Sequence, residues 1–200
     1  SSLFAAATSD KSGELNRQAL EKTEAIKSFF REAKAYLQET THTATNLKQE
    51  AVKGLFDNSR KLFIHAGEVK QMLLAIDFVK EFGFNVVIVG GEASWQIAPL
   101  LKANNIAVIL NAAHRLPFTE DEDYDQPFKT PAILQKAGVL FALNDDANNA
   151  RYRNLAFNAG TAAAFGLTKE EALSAITLNA AKILGIDAKT GSVEPGKDAN

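Results

Sequence analysis

Four short apolar runs, spaced by helix-length segments, constrain the fold of this chain more than any other feature. They are Leu62-Phe63-Ile64-His65, residues 85–91, residues 106–110 and residues 138–146. Each is too short for a stable helix, and the second and third are dominated by β-branched side chains. Between them, residues 68–82, 93–104 and 131–137 carry helical patterning. Single helices alternating with short apolar runs are the βαβ pattern and imply a parallel sheet. Right-handed crossovers then bring every strand's C-terminal end to one face. Both open α/β sheets and (β/α) barrels keep their chemistry there. The runs finish in groups suited to that role: His65, then Gly90-Gly91-Glu92, then Asn144-Asp145-Asp146.

The remaining segments read as support. Residues 1–13 are small and polar and are expected to be loose. A long helix is predicted over 14–39, with Leu15, Ala19, Ile26, Phe30, Ala33 and Leu37 on one stripe. The chain breaks at 40–43, a second helix is predicted over 46–56, and 57–59 form a turn. An acidic loop over 111–126 contains His114 and Arg115. Alanine-rich residues 155–165 are helical. Thr168-Lys169-Glu170-Glu171 is a capping box that starts a helix over 169–178, and 180–184 add a further turn. Trp95 and the many phenylalanines are expected in the core. The hydrophobic fraction of 46% is enough for such a core. A net charge of −2 gives no reason to expect nucleic acid or an anionic membrane as partner. The absence of cysteine removes disulfides, thiolate metal sites and a cysteine nucleophile together, and leaves the compartment undetermined. There is no signal peptide or membrane-spanning run. The first residue is Ser, not Met, so removal of an upstream portion is expected.

The C-terminal third carries two ordered motifs. Ala172-Leu173-Ser174-Ala175-Ile176-Thr177-Leu178-Asn179-Ala180-Ala181-Lys182-Ile183-Leu184-Gly185 is followed by Gly191-Ser192-Val193-Glu194-Pro195-Gly196-Lys197-Asp198-Ala199. Together they resemble the C-terminal signature of metal-dependent amidohydrolases, closest to the imidazolonepropionase-like branch. The match extends upstream through Ile64-His65-Ala66, Val86 to Gly91, Leu116-Pro117, Tyr124-Asp125 and Ala137-Gly138-Val139. The resemblance implies an α/β fold in which parallel (β/α) units form the C-terminal half of a TIM-type amidohydrolase barrel, preceded by N-terminal helices. A full barrel takes roughly 250 residues. The first-strand His-x-His motif and the fourth-strand bridging residue of the family are absent here. The expected organisation is therefore a loose segment over 1–13, a partial barrel over 14–190, and the start of a truncated C-terminal sandwich over 191–200.

The resemblance also assigns roles. His65 matches the fifth-strand histidine, a metal ligand. Asp145 matches the eighth-strand aspartate, which binds metal and shuttles a proton from water to the leaving group. Asp146 is the alternative, since a shift of one residue changes the face, and a helix-capping Asn-Asp-Asp turn is the plain structural reading of both. His114, Arg115 and Arg153 are candidate substrate contacts, with simple surface exposure as the alternative. One departure stands out. The family commonly has a histidine at the end of the sixth strand, and this chain has Gly90-Gly91-Glu92. Glu92 is either a substitute oxygen ligand or, as the residue preceding a helix, its cap.

These readings imply a fragment of an enzyme that hydrolyses a non-peptide C–N bond with metal-activated water and is inactive in isolation. The cofactor is a divalent metal, zinc or a related ion, in the longer enzyme, and the fragment alone need hold none. The partner is a small-molecule substrate. A half barrel has unpaired strand edges and a bare inner face, so self-association of the fragment is expected. Two rivals remain: a degenerate, non-catalytic barrel acting as a binding or scaffold protein, and an independent open α/β domain binding a ligand at a switch point.

Overall fold

The alternation of β-branched runs and helices is realised as a four-stranded parallel sheet in the order β1-β2-β3-β4. The structure, a computed structural model, describes residues 13–39, 41, 44–117, 122–145 and 152–198. In chain order the elements are α1 (Gly13–Gln38), α2 (Leu47–Glu50), α3 (Lys53–Phe56), β1 (Leu62–Ala66), α4 (Val69–Phe82) and β2 (Val86–Gly90). There follow α5 (Ala98–Ala103), β3 (Ala107–Leu110), α6 (Gln126–Lys136), β4 (Phe141–Leu143), α7 (Leu155–Ala164), α8 (Lys169–Ile176) and α9 (Leu178–Leu184). Strand order follows chain order without reversal, so the sheet has no switch point. That removes the open α/β reading and leaves the barrel-type arrangement. No described helix is long and apolar enough to cross a membrane.

The period of two along each strand separates two faces. Ile64, Ile88, Val108 and Phe141 point to the helical layer and join one large core with Met72, Phe78 and Leu134. Pairing register places Phe63, Val87 and Ala107 in one row of the other face, and His65, Val89, Ile109 and Ala142 in the next. The sequence predicts that this inner face is bare, and the structure corrects it. Helix α9 lies across it: Ile183 and Ala180 pack against Val87, Ala107, Ile109 and Ala142. Lys61 Nζ anchors α9 by donating to the carbonyls of Lys182 (3.0 Å) and Ile183 (2.7 Å). These are carbonyls of the kind a helix end leaves without partners. Exposure is left mainly on β1, where Phe63 is 42% exposed.

Helix α1 buries Thr23, Phe30 and Ala33, with Ile26 half-buried, at the spacing of one helical stripe. Phe30 enters an aromatic cluster with Phe56, Phe78, Phe82 and Phe84, which fastens α1, α3 and α4 to the residues leading into β2. On the rim, Lys27 lies 3.6 Å from Glu81 and Arg31 Nε donates to Glu81 at 2.6 Å. The Arg31 hydrogen bond holds the exposed Glu81 carboxyl below its usual range.

Several boundaries differ from the sequence reading, each for a local reason. The predicted helix over 46–56 is two short helices, α2 and α3, separated by a turn at Ala51-Val52. The predicted helix over 93–104 opens as a 3-10 turn, Ser94–Ile97, and becomes α-helical at Ala98, with Pro99 in its first turn. Helix α6 starts at Gln126, well before the predicted 131, because Pro127 also sits comfortably in a first turn. Inside α6, Thr130 Oγ1 donates to the Gln126 carbonyl at 2.9 Å. The run over 138–146 yields only three strand residues. Gly138 (φ 72°) turns the chain out of α6, and the Val139 N–H is still bonded to the Leu134 carbonyl at 3.0 Å. Trp95 is half-buried rather than core.

The capping box forms as read. Thr168 Oγ1 accepts the Glu171 N–H at 3.1 Å, and Glu171 accepts the Thr168 N–H at 2.8 Å. That Thr168 N–H, first among several donors, keeps the Glu171 carboxyl below the usual carboxylate range. Gln135 of α6 donates to the same carboxylate at 3.0 Å, so the cap also ties α8 to α6.

Candidate functional site

Tight turns fix the C-terminal ends of β1 and β2 relative to each other. Gln71 Oε1 accepts the N–H groups of Gly67 (2.8 Å) and Glu68 (3.2 Å), closing the β1–α4 turn as a capping box. Gly91 N–H donates to the Ala66 carbonyl at 2.8 Å, and Ala93 N–H to the Gly67 carbonyl at 2.9 Å. His65, the last residue but one of β1, stands on the inner face and is exposed.

At the end of β2 the chain turns through Gly90 (φ 108°) and Gly91 (φ 63°), which only glycine adopts without strain. A Cβ on Gly90 would lie 3.0 Å from Glu92 Oε2 and 3.2 Å from the Ala66 carbonyl oxygen. A Cβ on Gly91 would lie 2.5 Å from Val108 Cγ1. The Glu92 carboxylate therefore folds back over Gly90 and fills the space a strand-end side chain would use. It does not cap the following helix, whose N-terminus has no side-chain cap. Its partner is Asn111, just past β3, whose Nδ2 donates to Glu92 Oε1 at 2.9 Å. The capping role expected from sequence is thus replaced by a link between the ends of β2 and β3.

Beyond β3, Arg115 is held by Glu122 in a two-point contact, Nη2 to Oε1 at 2.9 Å and Nη1 to Oε2 at 3.1 Å. The Glu122 side chain is only 4% exposed, so this pair is substantially desolvated. His114 lies beside Phe128, ring centroids 5.3 Å apart, with Nε2 3.3 Å from Thr161 Oγ1. Thr161 spends its own proton on the Phe157 carbonyl at 3.0 Å, so in this contact His114 Nε2 is the donor. Arg153 is exposed on the 3-10 turn Tyr152–Asn154 ahead of α7.

Asp145 follows β4 and is 6% exposed, and its Oδ2 is buried without a hydrogen-bond partner among the described residues. Asp146 and Arg151 lie outside the described residues. A buried, unpaired carboxylate oxygen is costly and calls for an explanation. Asn158 Nδ2, on α7, is buried and unpartnered too. Sequence reading missed Asn158, although a lone amide on the buried side of an alanine-rich helix is a visible signal.

The face therefore collects His65, Glu92 with Asn111, Arg115 with Glu122, and Asp145, all at C-terminal strand ends. His65 and Asp145 are the right donor types for a divalent metal, an imidazole and a carboxylate. They stand at the C-terminal ends of the two outer strands, His65 within β1 and Asp145 two residues past β4. Among the described residues no three His, Cys, Asp or Glu side chains cluster as a metal site. The donors fit in kind but do not complete a site.

Comparison with known proteins gives a consistent picture. The family model described as "Amidohydrolase family" matches residues 22–200. Imidazolonepropionase of Picrophilus torridus is 34% identical over 143 residues, covering 70% of this chain and 34% of that protein. Imidazolonepropionase of Shewanella oneidensis is 43% identical over 72 residues, 34% of this chain and 17% of that protein. Among solved structures, an amidohydrolase from Thermotoga maritima MSB8 superposes with a TM-score of 0.74 at 31% identity, covering 89% of this chain and 48% of that one. The chain spans about a third of the first of these relatives and about half of the solved one.

Proposed function

Because the chain belongs to the amidohydrolase family, we propose that it works as part of a longer enzyme that hydrolyses a non-peptide C–N bond. The observation that carries this is Asp145, a strand-end carboxylate buried with one oxygen unpartnered. Structural carboxylates are paired; a group held unpaired at a functional face is one kept for something that arrives. In this reading Asp145 Oδ2 takes a proton from the attacking water and returns it to the departing nitrogen. His65, on the same face, supplies an imidazole nitrogen. Members of this superfamily typically bind a divalent metal. The reading takes zinc as that ion in the longer enzyme, with His65 and Asp145 as two of its ligands and the others contributed from elsewhere. A bound ion of this kind lowers the pKa of water. His114 and Arg115, in the loop after β3, and Arg153, on the turn before α7, remain the candidates for contact with a small-molecule substrate. Neither nucleic acid nor a membrane is a partner in this reading.

The test uses the longer polypeptide. Metal analysis after purification is expected to find about one divalent ion or more per chain, and imidazolone-type substrates are expected to be hydrolysed. The 200-residue chain alone is expected to be inactive. A metal-free longer protein with an intact fold sinks the hydrolase reading. It would favour a non-catalytic binding barrel, which the glycine pair in place of a sixth-strand histidine motivates.

The exposed part of the inner face also has a consequence for assembly. Among the described residues, Phe63 leaves apolar surface exposed and the outer side of β1 has no strand partner. The isolated chain is expected to self-associate through this surface. Sedimentation velocity should show a weight-average mass that rises with concentration, and Phe63→Lys should suppress the rise. A compact monomer at the highest concentration overturns this.

A further inference from the structure

The ends of β2 and β3 carry a polar pair that the hydrolytic reading does not use. Glu92 Oε1 is occupied by Asn111 Nδ2 at 2.9 Å. Glu92 Oε2 and Asn111 Oδ1 have no hydrogen-bond partner among the described residues, and neither is a sealed-off buried atom. Both residues line a shallow open cleft whose walls include Leu110, Pro127, Pro131 and Leu143. Arg115 reaches the same cleft, but its charge is matched by Glu122 through two short contacts. Among the described lining residues, Glu92 is the charged group without an oppositely charged partner.

The electrostatics and the hydrogen-bond inventory agree. The cleft presents acceptors linked through the Asn111–Glu92 bond, one of them a carboxylate, at the mouth of a narrow gap whose leucine and proline lining residues are themselves buried. An anionic group gains nothing there, because the guanidinium that would hold it is already spent on Glu122. A planar cation with N–H groups in one plane suits the mouth of the cleft, where two N–H groups can meet Glu92 Oε2 and Asn111 Oδ1 together. The two glycines make the arrangement possible. A Cβ at position 90 would stand 3.0 Å from Glu92 Oε2 and make the carboxylate give way.

We propose that Glu92 and Asn111 form a subsite for an amidinium or guanidinium group. The subsite rests on the C-terminal face being the substrate face, and it deepens that reading by giving the substrate a cationic, nitrogen-rich head.

The test needs no metal and no turnover. Methylguanidinium, methylammonium and acetate are each titrated into the 200-residue chain. Amide and side-chain NMR shifts of Gly90, Gly91 and Asn111 provide the readout. Methylguanidinium is expected to give saturable shifts at these residues, with methylammonium at least threefold weaker and acetate without effect. Glu92→Gln keeps the shape and the acceptor for Asn111 but removes the charge, and it is expected to weaken methylguanidinium binding at least tenfold. Asn111→Ala is expected to weaken it severalfold, and unchanged melting of both variants confirms that they fold. The proposal is overturned if methylguanidinium does not saturate, if acetate binds in its place, or if Glu92→Gln binds methylguanidinium as the wild type does. Guanidinium binding through Glu92 in a longer polypeptide that hydrolyses nothing would retain the subsite and reject the hydrolase. Hydrolysis with no Glu92-dependent binding would do the reverse.

Discussion

Asp145→Asn is expected to leave the chain folded at undiminished stability while removing the activity of the longer enzyme. The substitution preserves shape and abolishes both the charge and the capacity to carry a proton. Loss of a positioned acid–base group typically lowers the rate by about 10²–10⁴-fold, and kcat/KM should fall within that range, with a larger fall if a metal ligand is lost as well. Stability moves differently. A buried carboxylate oxygen without a partner is a cost to the fold, so replacing the carboxylate by a neutral amide is expected to hold or raise the melting temperature. A helix-capping role is read by Asp145→Ala instead, since Asn caps a helix as well as Asp does and Ala loses ~1 kcal/mol. For a domain of this size that is about 2–4 °C. Thermal melting of the 200-residue chain separates the two roles without any assay of activity. A drop of about 2–4 °C in Asp145→Ala, with none in Asp145→Asn, would show Asp145 to be a structural cap and would move the functional role to Asp146.

The two carboxylates differ in how much the sequence reveals about them. Asp145 is recognisable as the end of an apolar run, but the run does not show where the strand stops. The strand ends at Leu143, and Asp145 is carried inward to 6% exposure by backbone that is no longer regular strand. Glu92 is misread for a related reason. A glutamate directly ahead of a helix is a good cap by composition, and only the positive φ values of Gly90 and Gly91 turn its carboxylate towards Asn111. Those angles are permitted by glycine and are chosen by Val108 and the Ala66 carbonyl, which belong to neighbouring strands. The strands themselves are legible because β-branched runs of this length have few alternatives. The position of α9 is not. Its helical pattern is plain, but whether Ile183 faces the helical layer or the inner side of the sheet depends on Val87 and Ala142, which are distant in sequence. Local chemistry thus predicts elements well. It predicts poorly any side chain whose direction is set by a long-range neighbour.

The largest effect on stability is expected from Phe84→Ala. Phe84 is 2% exposed and lies between α4 and β2, where Phe30 of α1, Phe56 of α3 and Phe82 of α4 meet it at centroid distances of 5.0, 5.0 and 5.1 Å. Truncating a buried phenylalanine to alanine costs about 3–5 kcal/mol, and edge-to-face pairs add roughly 0.5–1.5 kcal/mol each beyond area burial. Measured against a typical domain stability of about 5–15 kcal/mol, this is a large fraction of the total. The loss is expected to be uneven. Among its described residues, helix α1 reaches the core chiefly through Phe30 with Ile26, Phe29 and Ala33, and its polar ties include the rim ion pair of Arg31 with Glu81. Exposed pairs of that kind contribute little. Removing the Phe84 ring should therefore release α1 before the sheet melts. Urea denaturation should show a lower midpoint, and hydrogen exchange should show protection lost first over Thr23 to Leu37. The matched control is Phe157→Ala, at a ring that is 71% exposed, where a change within about 0.5 kcal/mol is expected. If Phe84→Ala shifts stability no more than Phe157→Ala does, the aromatic cluster does not hold α1 to the sheet. The helix would then have to be retained by its polar rim, against the usual ranking of the two forces.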